Sequence, residues 1–347
     1  MWQLFIKNQP LSREFMAAKT MQAVRYEAYG GGSAALKHAE IPIPMPKHGE
    51  VLLKLEATSL NPVDWRLQHG LLRPLLPFKF PFIPGEDIAG EVIEVGPGVQ
   101  NFKLGDKVVS MLGILHGGGL AEYAVAKANL TVERPPEVSA AEGAGVVIAG
   151  LTALQALTKA CGLKLDASTY NVPLNILITA ASGGVGLYAV QLAKLAKAHV
   201  TATCGSRNLG LVKSLGADEV LDYTTPEGAA LKSPSGRKYD VVLHCGPTTP
   251  WHTFEQVLTE TGTLIELTPG VAHYVSAWFK KLMRSKKEFV PFLMVPTREE
   301  LELLMGLLKE GKVKTVVDST YPRAMAHEAW ARSMGGHATG KIIVIHN

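Results

Sequence analysis

The chain has 347 residues, 47% of them hydrophobic and 19% charged, with a formal net charge of +4 at pH 7. This composition excludes a disordered chain, and the length suffices for two domains with separate cores. The charge is too small to indicate nucleic-acid binding by itself, and no apolar run approaches the roughly 20 residues of a membrane-spanning helix.

The first fifteen residues precede a second methionine, Met16, and fit no helix or strand pattern. We interpret residues 1–15 as a segment added to the natural chain or as a disordered one. They lack the Arg-rich and Ser-rich composition of a transit peptide, so the sequence itself shows no organelle address.

From Gln22 to about Val146, short β-rich segments are separated by proline and glycine. These segments are QAVRYEAY, EVLLKLEATSL, IAGEVIEVG, DKVVSML and AEYAVAKANL. Strands at this spacing predict a compact β-barrel or sandwich, which we place at residues 16–146.

The pattern changes over residues 147–295, where apolar strands alternate with helical stretches. The Ala/Leu-rich stretch AAEGAGVVIAGLTALQALTKA predicts the first helix of this region. The strands that follow are LNILIT, HVTATC, EVLDY, YDVVLHC and GTLIEL. This alternation predicts βαβ units and a parallel sheet.

Residues 296–347 begin with a helix signal and end in two strands. Thr297, with Glu300 three residues later, forms a capping-box pattern. The segments TVVDSTY and GKIIVIH follow as strands, and we expect them to rejoin the first domain.

The three cysteines, Cys161, Cys204 and Cys245, are far apart and odd in number, and the sequence contains no Cys-x-x-Cys pair. We therefore expect no disulfide framework, no structural zinc lobe and a reducing compartment.

The segment AASGGVG lies between a predicted strand and a predicted helix, which is the setting of a dinucleotide-binding turn. It matches G-x-G-x-x-G with alanine at the first position, and such a turn binds a diphosphate at a helix N-terminus. The alternative is a purely structural turn. The residues expected to bind the diphosphate are Ala181, Ser182, Gly183, Gly184, Val185 and Gly186.

Ser206 and Arg207 follow the next strand, where an NAD site needs a carboxylate for the ribose 2′-hydroxyl. A hydroxyl and a guanidinium would instead bind a 2′-phosphate, so the sequence predicts NADPH as the cofactor. The alternative is that Arg207 is a solvated surface charge.

Four segments together resemble the medium-chain dehydrogenase/reductase superfamily and, within it, the zinc-free quinone oxidoreductase branch. They are NPVDWRLQHG, FPFIPGEDIAGEVIEVGPGVQNFKLGDKVV, GGGLAEY and NILITAASGGVGLYAVQLAK. The resemblance covers nearly all of Met21 to His346. It implies an α/β fold in which a GroES-like β-rich catalytic domain joins a Rossmann domain with a doubly wound parallel sheet, with the active site in the cleft between them.

The resemblance also implies that the zinc site is lost. A zinc dehydrogenase has a cysteine where Asn61 to Asp64 stand and Gly-His-Glu where Gly85-Glu86-Asp87 stand. We therefore expect no metal, the alternative being an alcohol dehydrogenase with a metal site built from other groups.

The implied activity is NADPH-dependent hydride transfer to enones and enals, including long-chain oxo-fatty acids, or to quinones. The alternative is a non-catalytic NADPH-binding or regulatory protein with the same fold. Members of the family are commonly dimers, so we expect a homodimer or a monomer. The resemblance further implies the periphery of the chloroplast inner envelope, with the cytoplasm as the alternative.

Three residues are candidates for catalysis by this resemblance. Asn61 is a candidate donor to an enolate oxygen, although it equally suits a turn before proline, and the nicotinamide ribose hydroxyl is an equal candidate donor. Thr152 matches a threonine near the nicotinamide, or else is an ordinary helix residue. Asp64 orients Asn61 or the chain, although an exposed turn carboxylate is the favoured interpretation.

Further cofactor contacts are expected at strand ends. Tyr223 resembles a residue near the adenosine 2′-phosphate, although a strand-end tyrosine is as often simply packed. Leu209 occupies a position where relatives often carry a lysine, which leaves Arg207 as the main phosphate ligand. Gly246 and Thr268 follow strands at the carboxyl edge of the sheet, where ligands bind.

A basic aromatic segment remains outside these assignments. It contains Lys280, Lys281, Arg284, Lys286 and Lys287 beside Trp278, Phe279, Phe289 and Phe292. It fits peripheral contact with an anionic membrane, a cover over the cleft for an acid-tailed substrate, or a solvated helix face.

Overall fold

The computed structural model describes residues 19–73, 77–165, 173–247, 249–269 and 286–346. Two large sheets and one small one organise these residues. The predicted fold class, a GroES-like β-rich part joined to a Rossmann-like parallel sheet, is confirmed.

The first large sheet has seven strands and is mostly antiparallel, in the order β14-β15-β3-β4-β5-β7, with β6 also pairing with β3. A separate antiparallel pair, β1 and β2, lies beside it. The strands of the first half of the chain are β1 (Thr20–Arg25), β2 (Lys37–Pro42), β3 (Glu50–Leu60), β4 (Asp87–Val95), β5 (Lys107–Met111), β6 (Tyr123–Lys127) and β7 (Thr131–Glu133).

The second large sheet is parallel and has six strands in the order β10-β9-β8-β11-β12-β13. Its strands are β8 (Asn175–Ile178), β9 (His199–Cys204), β10 (Glu219–Asp222), β11 (Tyr239–His244), β12 (Leu258–Glu266) and β13 (Glu288–Pro291). The strand order reverses between β8 and β11, and ligands of doubly wound sheets bind at such a switch point.

The helices connect these strands and cover the sheets. They are α1 (Pro62–Gln68), α2 (Ala140–Gln155), α3 (Gly184–Leu195), α4 (Leu209–Ser214), α5 (Pro226–Ala229), α6 (Trp251–Glu255), α7 (Arg298–Lys309) and α8 (Ala326–Met334). The predicted cap of α7 forms, because the Thr297 hydroxyl accepts the Glu300 N–H.

Helix α2 joins the two halves of the molecule. It packs against β3, β4 and β5 of the first sheet and against α3 and α7. With the π-helical turn that extends it to Ala160, it is 21 residues long and apolar enough to cross a membrane, yet 72% of its apolar window is buried inside the protein. This apolar helix is thus longer than any apolar run that we expected from the sequence. Its apolar side chains are part of the hydrophobic core.

The C-terminal segment returns to the first sheet. Strand β15 (Lys341–Ile345) pairs antiparallel with β3, and β14 (Val317–Pro322) runs parallel to β15. Helix α8, which the sequence pattern did not indicate, lies between these two strands in the chain. The domain boundaries near residues 146 and 295 stay predictions.

Candidate functional site

The glycine turn between β8 and α3 is pinned to the neighbouring strand β9. The Ala181 N–H donates to the Thr203 carbonyl over 2.7 Å, and the Ala180 N–H donates to the Thr203 hydroxyl over 3.1 Å. Ala180 has a φ of +48°, in the left-handed region that non-glycine residues rarely adopt. The turn is therefore fixed by specific contacts in an uncommon conformation.

Gly186 allows α3 to pack directly on this turn. A Cβ atom at Gly186 would lie 2.6 Å from both the Ala180 carbonyl oxygen and the Ala181 Cα, which no side chain tolerates. At Gly183 the described neighbour of such a Cβ is the Ala180 carbonyl oxygen at 3.2 Å. Gly186 thus serves helix packing, while Gly183 leaves its outer side open, as the dinucleotide fingerprint requires.

The N-terminus of α3 fits a diphosphate. Gly183 precedes the helix in an extended conformation, no described side chain caps it, and the first turn contains no acidic residue. The first N–H groups of a helix have no partner within the helix and carry the positive end of its dipole. The turn thus offers donors from Ser182, Val185 and Gly186 to an anion, while the Gly183–Gly340 bridge engages Gly184.

Ser206, Arg207 and Tyr223 come together at the carboxyl ends of β9 and β10. Ser206 and Arg207 start an exposed turn after β9, and the Arg207 Nη2 donates to the His337 carbonyl over 2.5 Å. A Cβ at Gly205 would lie 3.3 Å from the Tyr223 hydroxyl. Tyr223 is 50% exposed, so it is not simply a packed residue.

Gly246 and Thr268 follow the next two strands, β11 and β12. A Cβ at Gly246 would lie 3.8 Å from the Ala180 Cβ, which puts Gly246 beside the glycine turn. The Thr268 N–H and hydroxyl both donate to the Glu266 carboxylate, over 3.0 and 3.1 Å. Gly246 therefore borders the predicted diphosphate site, whereas the Thr268 hydroxyl donates within its own loop.

Asn61 lies at the start of α1 with its side-chain amide fully engaged. Its Nδ2 donates to the Asp87 Oδ2 over 2.7 Å and, more weakly, to the Ser59 carbonyl over 3.4 Å. Its Oδ1 accepts a hydrogen bond from the Lys341 Nζ over 2.5 Å. Because both amide hydrogens point at protein acceptors, donation to a substrate oxygen would require Asn61 to give up one of them.

Asp64 is buried, with 3% of its surface exposed, so the favoured interpretation of an exposed turn carboxylate is wrong. Its Oδ2 accepts the Asn61 N–H over 2.7 Å, and its Oδ1 accepts the Gly85 N–H over 3.2 Å. The short carboxylate caps α1 and also ties it to the segment before β4, a long-range contact that local sequence does not reveal. Asp64 therefore orients the chain around Asn61.

Thr152 lies on α2, one helical turn after Ile148. Its hydroxyl donates to the Ile148 carbonyl over 2.7 Å, a common local bond of helical threonines. The Ile148 N–H donates to the Asp87 carboxylate over 3.2 Å. The structure thus brings α2 to the Asn61 and Asp87 region, with Thr152 partly buried nearby.

Lys341 connects the glycine turn to Asn61. The N–H of the preceding residue, Gly340, donates to the Ser182 carbonyl over 3.0 Å. A Cβ at Gly184 would lie 3.2 Å from the Lys341 Cδ, so the lysine stem passes beside the turn. Lys341 is 3% exposed, and its ammonium group ends on Asn61.

Asp64, Glu86, Asp87 and Lys341 form a buried charge cluster, each at most 3% exposed. Burial raises the pKa of Asp64 to about 6 and that of Asp87 to about 7, although the Lys341 charge opposes both shifts. Burial, with the charges of Asp64 and Asp87, raises the pKa of Glu86 well above its usual range. Burial lowers the pKa of Lys341, against the attraction of Asp87 and Asp64. The cluster therefore carries less negative charge at neutral pH than its carboxyl groups suggest.

Sequence reasoning did not identify Glu86, Asp87 and Lys341 as members of one site. Each stands at the edge of an apolar strand, in GEDIAG and GKIIVIH, and charged residues at such positions are a signal that could have found them. Among the described ranges, no group of three or more His, Cys, Asp or Glu side chains is arranged to bind a metal ion.

The basic aromatic segment is described only in part. Lys280, Lys281, Arg284, Trp278 and Phe279 lie outside the described residues. In the remainder, the Lys287 Nζ donates to the Glu255 carbonyl over 2.6 Å, and the Phe289 ring meets the Trp251 ring edge-on at 5.8 Å. Phe292 is 9% exposed. Two aromatic rings of this segment, those of Phe289 and Phe292, therefore pack against the rest of the protein.

Comparisons with known proteins cover both halves of the chain. Residues 47–136 match the alcohol dehydrogenase GroES-like domain family, and residues 215–344 match the family described as zinc-binding dehydrogenase. The chain is 63% identical over 329 residues to the chloroplast envelope quinone oxidoreductase homolog of Arabidopsis thaliana, covering 95% of this chain and 99% of the relative.

Two further comparisons are more distant. The NADPH-dependent alkenal/one oxidoreductase, chloroplastic, of Arabidopsis thaliana is 30% identical over 336 residues, which cover 94% of this chain and 80% of that protein. The solved structure of the quinone oxidoreductase from Coxiella burnetii aligns with a TM-score of 0.82 at 29% identity, covering 94% of this chain and 99% of that one.

Removing the Lys341 charge tests the cluster. Lys341→Met leaves the Asn61 Oδ1 without its donor and Asp87 without an opposing charge, so we expect a loss of about 3 kcal/mol in unfolding free energy near pH 8. The loss shrinks near pH 5, because Asp87, with its pKa of about 7, is then protonated in both proteins. Urea unfolding at the two pH values measures both quantities.

The matched control is Lys309→Met, at the exposed end of α7, for which a change below about 0.5 kcal/mol is expected at either pH. A Lys341→Met loss that is the same at both pH values would contradict the coupling to Asp87.

Proposed function

Because the chain belongs to the medium-chain dehydrogenase/reductase superfamily, in its quinone oxidoreductase branch, we propose that it is a zinc-independent reductase specific for NADPH. Its acceptors are α,β-unsaturated ketones and aldehydes, including long-chain oxo-fatty acids, or quinones. The observation that carries the proposal is the uncapped glycine turn at the sheet's switch point with Arg207 at the end of the next strand.

The residues at the switch point suit each part of the cofactor. The N–H groups around Ser182–Gly186 would bind the diphosphate, and Ser206 and Arg207 would bind the 2′-phosphate beside Tyr223. Gly246 would border the diphosphate, with Thr268 further along the same edge. When bound, the nicotinamide supplies a hydride to an electron-poor carbon.

The residues that we assign to the catalytic side of the site hold one another in fixed positions. Asp87 and Lys341 fix both ends of the Asn61 amide, and Asp64 fixes its backbone. A reductase of this kind gains most of its rate from positioning, since the bond-making chemistry belongs to the cofactor. We therefore assign Asn61, Asp64 and Thr152 to shaping the nicotinamide end of the cleft, with enolate stabilisation by Asn61 as the finer proposal.

Two kinds of hydride acceptor, quinones and enones, agree with the names of relatives. One relative is named a quinone oxidoreductase homolog and another an alkenal/one oxidoreductase. In our proposal enones suit the site better than quinones do. Hydride addition to the β-carbon of an enone leaves an enolate, which needs a nearby hydrogen-bond donor or acid.

We also propose a chloroplast location, at the inner-envelope periphery, because relatives at 60–63% identity carry chloroplast names. The membrane contact would use the basic segment around Lys280 and Lys287, and the enzyme would act as a homodimer or a monomer. Both proposals rest on residue types and on family resemblance.

The 2′-phosphate assignment is tested with Arg207→Asp. Loss of a charged hydrogen bond and gain of a like charge should weaken NADPH binding about 10- to 100-fold, while NADH binding stays the same or improves. Calorimetric titration with both cofactors gives the ratio of the NADPH affinity to the NADH affinity. The matched control, Arg237→Asp on another exposed loop, should leave it unchanged. An unaltered NADPH-to-NADH ratio in Arg207→Asp would remove the assignment.

The activity is tested by following NADPH consumption with short enals, cyclic enones, long-chain oxo-fatty acids and quinones, before and after dialysis against a chelator. We expect turnover with enones, saturation of the C=C bond in the product and no loss after chelation. NADPH binding without turnover of any acceptor would favour the non-catalytic alternative, and loss after chelation would favour a metal-dependent dehydrogenase.

Membrane contact is tested by flotation with anionic and neutral vesicles, with the wild type and a Lys280→Glu, Lys281→Glu, Arg284→Glu variant. We expect binding to anionic vesicles that weakens with salt and with charge reversal. Absence of binding at low salt would end this proposal.

A further inference from the structure

His244 ends strand β11 at the switch point of the parallel sheet, and its side chain is buried, with 3% of the residue exposed. The Phe254 ring packs against the imidazole with 4.8 Å between the ring centroids. Buried polar atoms are almost always hydrogen-bonded, and an imidazole has two nitrogens to satisfy. The fold supplies partners for both nitrogens from segments that border the glycine turn.

The two ring nitrogens bond to two different segments. Nδ1 lies 2.7 Å from the hydroxyl oxygen of Thr179, which stands between β8 and the glycine turn. Nε2 lies 2.8 Å from the carbonyl oxygen of Pro247, in the loop after β11. The Glu266 carboxylate is 4.0 Å from Nε2, which is too far for a hydrogen bond. The imidazole therefore joins the loop after β11 to the end of β8.

These partners decide how the hydrogens are arranged. A carbonyl oxygen only accepts, so Nε2 must carry a hydrogen to bond to Pro247. The Thr179 hydroxyl can then donate to Nδ1, while its oxygen accepts the Cys245 N–H over 3.1 Å. The bonds form one chain, which begins and ends on the backbone of the loop after β11.

This chain of hydrogen bonds holds Gly246 beside the glycine turn. Cys245 and Pro247, the two neighbours of Gly246, are both bonded to the chain. A Cβ at Gly246 would lie 3.2 Å from the His244 Cε1 and 3.8 Å from the Ala180 Cβ. Gly246 thus lies between the buried imidazole and the turn, and its two anchored neighbours restrict its movement.

We propose that His244 is a positioning residue for dinucleotide binding, which holds the loop after β11 where the Gly246 backbone borders the cofactor. The inference rests on the proposed function, because it needs a dinucleotide at the switch point. The imidazole acts through the Pro247 carbonyl and does not itself touch the cofactor. A loop that is ordered before binding spares the complex the entropic cost of ordering it.

The place of His244 in the sheet predicts an effect on affinity without an effect on cofactor choice. The residues proposed for the 2′-phosphate follow β9 and β10, whereas the loop held by His244 follows β11, on the other side of β8. NADPH and NADH differ only at the 2′-phosphate. Loosening this loop should therefore weaken the binding of both cofactors by the same factor.

Two substitutions separate the two hydrogen bonds of the imidazole. The amide of an asparagine reaches the position of Nδ1 and can accept from Thr179, but it does not reach Pro247. The amide of a glutamine reaches the position of Nε2 and can donate to Pro247. We expect His244→Asn to raise the Kd of NADPH and of NADH about 5- to 10-fold, and His244→Gln to stay within about twofold of the wild type. Calorimetric titration with each cofactor measures these affinities.

A purely structural role would not give this pattern. Each substitution removes one of these two hydrogen bonds, so urea unfolding should show similar losses of stability in both variants. The KM for NADPH should rise in His244→Asn with kcat within about twofold of the wild type, because the loop binds the ground state and the transition state alike. The matched control is His38→Asn, at an exposed position of β2, which should keep the wild-type Kd and KM.

The outcomes are distinct. Equal cofactor affinities in the wild type, His244→Asn and His244→Gln would overturn the inference while leaving the proposed function intact. A wild type that binds neither NADPH nor NADH would remove both. If His244→Asn does not fold, a crystal structure of the wild type with NADPH decides. Gly246 in contact with the cofactor, with the Nε2–Pro247 bond kept, supports the inference, and a loop that stays clear of the cofactor overturns it.

Discussion

The hydrogen-bonded chain from Lys341 through Asn61 to Asp87 is the interaction on which the rest of the site depends. It joins the last strand of the first sheet to the start of α1 and to β4, and the lysine stem passes the glycine turn on its way. A buried ammonium group needs a partner of opposite charge, and a buried carboxylate needs the same. These groups all belong to the first half of the molecule, and the Gly340–Ser182 hydrogen bond, with the Lys341 stem beside Gly184, ties them to the glycine turn of the second half.

The same cluster lies at the positions where the family resemblance places the zinc ligands of related dehydrogenases, in the segments Asn61–Asp64 and Gly85–Asp87. A Lewis acid stabilises an oxyanion directly, whereas this cluster consists of three buried carboxyl groups and a lysine. Burial raises the pKa of all three carboxyl groups, so they bind protons at higher pH than solvated carboxyl groups do.

The parallel sheet supplies the other half of the site. The strand order reverses between β8 and β11, and the glycine turn, Gly246 and Arg207 all follow strands at the carboxyl edge. Arg207 is bonded to the carbonyl of His337, in the segment leading to β15. Arg207 and Lys341 are thus connected through the same C-terminal segment.

The sequence by itself determined the alternation of strands and helices, the glycine turn, the cap at Thr297 and the basic residue after β9, because each is a local pattern within a few residues. Only the tertiary structure decided that Asp64 is buried, that Lys341 reaches Asn61 across 280 positions, and that Glu86 shares a closed volume with two other carboxyl groups. The reason is physical: the burial of a charge and the resulting pKa depend on side chains contributed by distant segments, and no local pattern encodes which segments those are.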